Sequence, residues 1–292
     1  MPVHQVEKLI NESDDKLWRM LGKYIEEALE LNDYSDVESV GIDETSRRSG
    51  HNYITLFVNM IKKRTIFITK GKDSQTVSDF VKDLEEHNGD EEKVKDVSCD
   101  MSKGFRKGVK EYLPNGEITF DKFHIVKIIN EAVDTVRKEE VKENAILKKT
   151  KYIFLKNESN LTQKEKKKLE EIKMSKMNLK TEKALRIRTA FQSVYKAKTK
   201  EQFMKELKEW YFWATHSRIK PIIKAAKTIK EHWNGLIKWW DSRINNGILE
   251  GFNSLIQSAK SKARGYSTYE HQRIIAFLLT GDLKFNEINP TY

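Results

Sequence analysis

Three short runs early in the chain, "ESVGIDE" (38–44), "YITLFVNM" (53–60) and "RTIFITK" (64–70), are β-branched and aromatic and are separated by polar turns. Their length and spacing predict an antiparallel meander. A helix follows in "DSQTVSDFVKDLEEHN", with Val77, Phe80, Val81 and Leu84 on one side. Then come a fourth strand in "VKDVSCD" (94–100), a helix through "GFRKGVKEYL" and a fifth strand near "EITFDKFHIV" (117–126). The order βββαβαβ belongs to the α/β class, and strands reached by helical crossovers are expected to be parallel to their neighbours.

From about Ile128 to Trp240 strand patterns stop and helical periodicity takes over. Twelve lysines fall between Leu147 and Lys183, as in a charged helical hairpin. The expected organisation is a helical lead-in or partial helix-turn-helix over 1–34, with two helices split at Asn11–Asp15. The first part of an α/β core follows over 35–130, then an all-helical insertion over 131–240, a return to the core over 241–285 and a tail over 286–292.

The formal net charge of +10 is unevenly distributed. Residues 1–100 carry 14 basic and 22 acidic side chains, and residues 101–292 carry the other 40 and 22. An acidic first part beside a basic second part suits metal ions meeting a polyanion; Lys/Glu-rich solvated helices account for the same totals. No run of eighteen apolar residues suggests a membrane span, and "MPVHQVEKLI" lacks the pattern of a signal peptide. One cysteine, Cys99, leaves no internal disulfide, and a reducing cytoplasm is the expected compartment.

Asp43 and Asp100 each follow a short apolar strand run, in "SVGIDE" and "DVSCDMS". A carboxylate there is costly to desolvate unless a cation or donor compensates it. If the first strand lies beside the fourth, both acids sit at one sheet edge within reach of one metal ion, where open α/β sheets place their sites. A strand-end Asp also simply begins turns.

Glu250 is the one ionisable group between Ile244 and Ala259, in a chain with 34% charged residues. On a helix, Ile248, Leu249, Phe252, Leu255, Ile256 and Ala259 form an apolar side, and Asn246, Glu250, Asn253, Gln257, Lys260 and Arg264 project opposite. One acid followed by amides and bases suits a third metal ligand next to phosphate-binding groups.

"VGIDETSRRSGHNYITLFV", "VSCDMSKGF", "FDKFHIVKIIN" and "ILEGFNSLIQSAKSKARGY" together resemble the DDE transposases of bacterial insertion sequences, specifically the IS-L-three group. The resemblance covers roughly residues 35–285. It implies a ribonuclease-H-like mixed sheet interrupted by a helical insertion, with Asp43, Asp100 and Glu250 as a metal-binding catalytic triad. Members usually carry a zinc-binding segment and a helix-turn-helix ahead of the catalytic domain, so the chain resembles an N-terminally shortened form.

The resemblance further implies DNA strand cleavage and strand transfer with two Mg²⁺ ions, replaceable by Mn²⁺, about 3.5–4 Å apart. The expected partners are double-stranded DNA, as element ends and target, and a second copy of the chain when assembled on DNA. Asp121 and His124 also match a family motif, either orienting DNA or a triad acid or forming a hydrogen-bonded strand-end pair. Arg47, Arg48, Lys260, Lys262 and Arg264 are candidate phosphate contacts, as are the amides Asn253 and Gln257. Arg47 and Arg48 equally suit a turn. The aromatic segments "EWYFWATH" and "HWNGLIKWW" suit helix packing better than base stacking. Two alternatives stay open: a catalytically idle DNA-binding remnant, and a structure-selective nuclease.

Overall fold

The computed structural model describes residues 3–48, 52–100, 102–120, 122–174, 179–242, 247–285 and 288. In chain order these form α1 (Val3–Ile10), α2 (Asp14–Glu30), β1 (Ser39–Arg48), β2 (Asn52–Asn59), β3 (Arg64–Lys70), α3 (Ser74–Glu86), β4 (Asp96–Cys99), α4 (Lys103–Tyr112) and β5 (Glu117–Phe120). Helices follow: α5 (Lys122–Glu140), α6 (Lys151–Leu155), α7 (Gln163–Met174), α8 (Lys180–Val194), α9 (Lys200–Thr215), α10 (Lys220–Glu231), α11 (Trp233–Ser242), α12 (Gly247–Lys262) and α13 (Tyr269–Thr280). Two compact units result: Met1–Asp121 with Ser242–Tyr292, and Lys122–Asp241. Among the described residues no helix is long and apolar enough to cross a membrane.

The first unit is built on a mixed five-stranded sheet of order β3-β2-β1-β4-β5. β1 pairs antiparallel with β2 and parallel with β4, and β5 extends the parallel side. Because side chains alternate along a strand, each face has its own core. Val40, Ile42, Val97 and Cys99 pack with Val77, Phe80, Phe105 and Val109 of α3 and α4. On the opposite face Ile54, Leu56, Val58 and Ile68 pack with Ile25 and Leu29 of α2, Leu249 and Ile256 of α12, and Ile274 and Phe277 of α13. Polar ties close this second layer: Tyr269 donates to the Ile68 carbonyl at 2.9 Å, and the hydroxyls of Thr65 and Thr280 meet at 2.7 Å.

Two strands end elsewhere than expected. β1 runs past Asp43 to Arg48, because β2 pairs with it as far as Arg48↔Asn52. β5 stops at Phe120 rather than near residue 126. From Lys122 the apolar residues recur at helical spacing, with Ile125, Ile129, Val133 and Val136 buried, so the chain continues as α5.

The second unit is helical. Arg188 of α8 is its buried polar anchor: it donates to the Asn130 side chain at 2.8 Å and to the carbonyls of Lys156 and Leu155 at 3.0 and 2.9 Å. This guanidinium satisfies the carbonyls that end α6, which have no partner within that helix. The aromatic segments largely pack: Trp210 is buried and donates to the Ile187 carbonyl, and Trp239 sits edge-on to Tyr195. Phe212 is 64% exposed.

Two stability predictions follow from these buried polar groups. Arg188→Met fills a similar volume but leaves three acceptors without their donor, and should destabilise the helical unit by about 3 kcal/mol in denaturant titrations. At Asp83 on α3, burial pushes the carboxyl up to about 6, opposed first by His87 and reinforced by Glu86. The folded chain therefore holds this proton more tightly than the unfolded chain. That contribution is full below the unfolded value of 3.8 and is lost as pH rises through about 6. Asp83→Asn should raise the melting temperature at pH 7.5, with the gain shrinking through pH 6 and vanishing near pH 4.

Candidate active site

The parallel ladder between β1 and β4 ends at the pair Ile42↔Cys99. The next residues are Asp43 and Asp100. Strand alternation turns both towards the face that carries Gly41 and Ser98, also paired across the ladder, and away from the buried Ile42 and Cys99. Adjacent strands lie about 4.8 Å apart, which brings the two acids side by side at the end of the parallel ladder. Glu44, next to Asp43, belongs to the opposite face, where it pairs with Lys72 at 3.4 Å.

Both carboxylates are half-buried and oriented by donors. Asp43 Oδ1 accepts from the Glu44 backbone N–H at 2.8 Å, and Asp43 Oδ2 accepts from Asn253 Nδ2 at 2.7 Å. Asp100 Oδ1 accepts from the Ser102 backbone N–H at 2.8 Å, just ahead of α4. Cys99 is fully buried. Burial and then the charge of Asp100 push its thiol well above the ordinary range; Arg106 opposes the rise and Asp43 adds to it.

α12 lies along β1 with matched spacing. Leu249 rests on Gly41, Asn253 reaches Asp43, and Gln257 donates to Thr45 Oγ1 at 2.6 Å and to the Ser46 carbonyl at 2.9 Å. Lys260 donates to the same carbonyl at 2.7 Å. Four helical residues advance about 6 Å and two strand residues about 6.6 Å, so helix positions four apart meet strand positions two apart. Gly41 allows this approach: a Cβ there would come within 2.5 Å of Met60 Sδ and 3.0 Å of Leu249. A glycine inside a β-branched strand is the sequence signal for such an approach.

This arrangement differs from the apolar and polar sides expected of α12. Asn253, Gln257 and Lys260 face β1, because its half beyond the parallel ladder offers a carboxylate, a hydroxyl and a carbonyl rather than apolar surface. Leu255, expected to be buried, is 49% exposed. Lys262 and Arg264 are exposed at the end of the helix.

Glu250 is exposed on α12, one turn before Asn253 and about 60° around the helix from it. Among the described residues no three acidic, histidine or cysteine side chains cluster closely enough to hold a metal ion. The donors nevertheless suit a hard divalent cation in kind, being two neighbouring carboxylates. Two carboxylates thus stand together at the end of the ladder, and Glu250 stands outside the pair.

His124 is half-buried on the first turn of α5, in the helical unit, rather than at a strand end. Asp121 lies outside the described residues, as does Asn246. Arg47 and Arg48 end β1, and their side chains also lie outside the described part.

A family model described as "Transposase", DDE_Tnp_ISL3, matches residues 40–276. The transposase for insertion sequence element IS1001 of Bordetella parapertussis is 26% identical over 247 residues, covering 82% of this chain and 60% of that protein. The transposase for insertion sequence element IS1557 of Mycobacterium tuberculosis H37Rv is 23% identical over 294 residues, covering 89% and 65%. The chain therefore spans less than two thirds of the length of these curated relatives. With the family model matched across both acids at the end of the parallel ladder and the helix of Glu250, the chain belongs to the IS-L-three family of DDE transposases.

Proposed function

We propose that this chain cleaves DNA strands at the ends of an insertion sequence and transfers them to target DNA in a divalent-metal-dependent reaction, on a ribonuclease-H-like core interrupted by a helical insertion. The observation that carries the reading is the register of β1 and β4. It sets Asp43 and Asp100 next to each other at the end of the parallel ladder, on the face covered by the helix of Glu250.

Asp43 and Asp100 would hold Mg²⁺, or Mn²⁺ in its place, with Glu250 joining them from α12. Bound there, a divalent ion supplies Lewis acidity and lowers the pKa of an attacking water. The chain's own part is to aim the carboxylates. The Glu44 and Ser102 backbone N–H groups and the Asn253 amide all donate to them without neutralising them.

Exposed Lys262 and Arg264, at the end of the same helix, are suited to phosphate oxygens. The balance of 40 basic to 22 acidic residues beyond residue 100 favours a polyanionic partner, proposed as double-stranded DNA. Joining two element ends calls for two active sites, so a homodimer assembled on DNA is part of the proposal. Two observations favour a second reading, a DNA-binding remnant without catalysis: the exposed Glu250 and the lack of a three-ligand cluster among the described residues.

The deciding experiment is Mg²⁺-dependent cleavage of DNA carrying the element ends. Asp43→Asn, Asp100→Asn and Glu250→Gln should each lower cleavage by roughly a thousandfold or more while leaving the circular-dichroism melt intact. Cleavage retained by Glu250→Gln removes that residue from the site. Salt-dependent DNA binding by the wild type without any cleavage supports the remnant.

A further inference from the structure

Asn253 occupies an unusual position. Its Nδ2 donates to Asp43, while its Oδ1 is buried without a partner. Leaving a buried acceptor unmatched costs stability, so this amide is not there for stability alone. The helix–strand seam does not depend on it either, since Gln257 and Lys260 tie α12 to β1 farther along and Leu249 packs on Gly41. Of these seam contacts, the one from Asn253 ends on a carboxylate.

An amide suits that place chemically. Lysine or arginine there would compete with a cation for Asp43, and an acid would repel it. An amide N–H₂ fixes the rotation of the carboxylate and leaves its charge available. Asn253 also lies one helical turn from Glu250, so the contact that aims the first acid also sets the height of the third along β1.

Resting on the proposed function, we infer that Asn253 is a positioning residue that acts through Asp43: it aims that carboxylate for a divalent cation and couples it to the helix of Glu250. Groups that hydrogen-bond a metal-binding carboxylate tune metal affinity without touching the ion. The unpartnered Oδ1 provides an acceptor for a donor arriving with a cation.

The test is Mn²⁺ titration of the full chain, read by calorimetry, with melting temperature measured alongside. Asn253→Ala should weaken Mn²⁺ binding about 10-fold or more. Asn253→Leu, which keeps the volume and removes the donor, should do the same and guards against a misfolded alanine variant. Gln257→Ala cuts the same seam without touching Asp43; it should lower the melting temperature and leave Mn²⁺ affinity within about twofold, below the loss expected when a partner of a metal-binding carboxylate is removed. In an Asp43→Asn background, Asn253→Ala should add no further loss.

Wild-type Mn²⁺ affinity in both Asn253 variants overturns the inference and leaves the proposed function standing, provided Asp43→Asn weakens binding. Equal losses from Gln257→Ala and Asn253→Ala also overturn it, since the effect is then that of a loosened seam. If Asp43→Asn binds Mn²⁺ as tightly as the wild type, the metal reading of the site fails and the inference falls with it.

Discussion

The pairing of β1 with β4 is the constraint on which the rest of this molecule depends. It is only four pairs long, Ser39↔Asp96 to Ile42↔Cys99. Parallel register and side-chain alternation together decide which face each residue takes and which residues meet at the ladder's end. A slip of one residue would send Val40 and Ile42 out of the α3–α4 core and bury the neighbouring acid in their place. The register that places the carboxylates is thus enforced by the apolar residues between them, and core and candidate site are specified by the same hydrogen bonds.

β1 has two characters along its length. Up to Ile42 it is a buried central strand, covered by α3 and α4 on one face and approached by Leu249 on the other. Beyond Ile42 it has lost β4 as a neighbour, keeps β2, and turns polar groups to α12. The helix is divided in the same way, with Leu249 opposite the apolar half and Asn253, Gln257 and Lys260 opposite the polar half. Each polar group of β1 named in this seam meets a matching donor, so the helix can lie over half-buried carboxylate and hydroxyl groups without the cost of leaving them dry.

Charge is handled differently in the two units. In the sheet unit the half-buried acids Asp43 and Asp100 are oriented by neutral donors, which satisfy carboxylate oxygens without pairing their charge. In the helical unit one buried base, Arg188, is matched by neutral oxygens of an asparagine and two helix-ending carbonyls, while Arg137 pairs with the buried Asp134. One arrangement leaves charge available to a partner. The other uses charge to tie one helix to its neighbours.

Much of this was determined by local sequence. The meander, the βββαβαβ order, the helical run from about residue 128 and the placing of Asp43 and Asp100 at short apolar strand runs all follow from periodicity of two or 3.6 and from turn residues, which act over a few positions. The end of β5 was misjudged because "FDKFHIV" has the β-branched and aromatic content of a strand, and only the buried spacing of Ile125, Ile129 and Val133 shows a helix. The side of α12 was misjudged for another reason: amides and a lysine look like a solvent face until it is known that β1 offers them a carboxylate, a hydroxyl and a carbonyl. Tertiary structure decided that match, along with the approach at Gly41, the exposure of Leu255 and Glu250, and the bond from Asn253 to Asp43. These depend on contacts between residues more than two hundred positions apart, where no periodicity in the chain can reach.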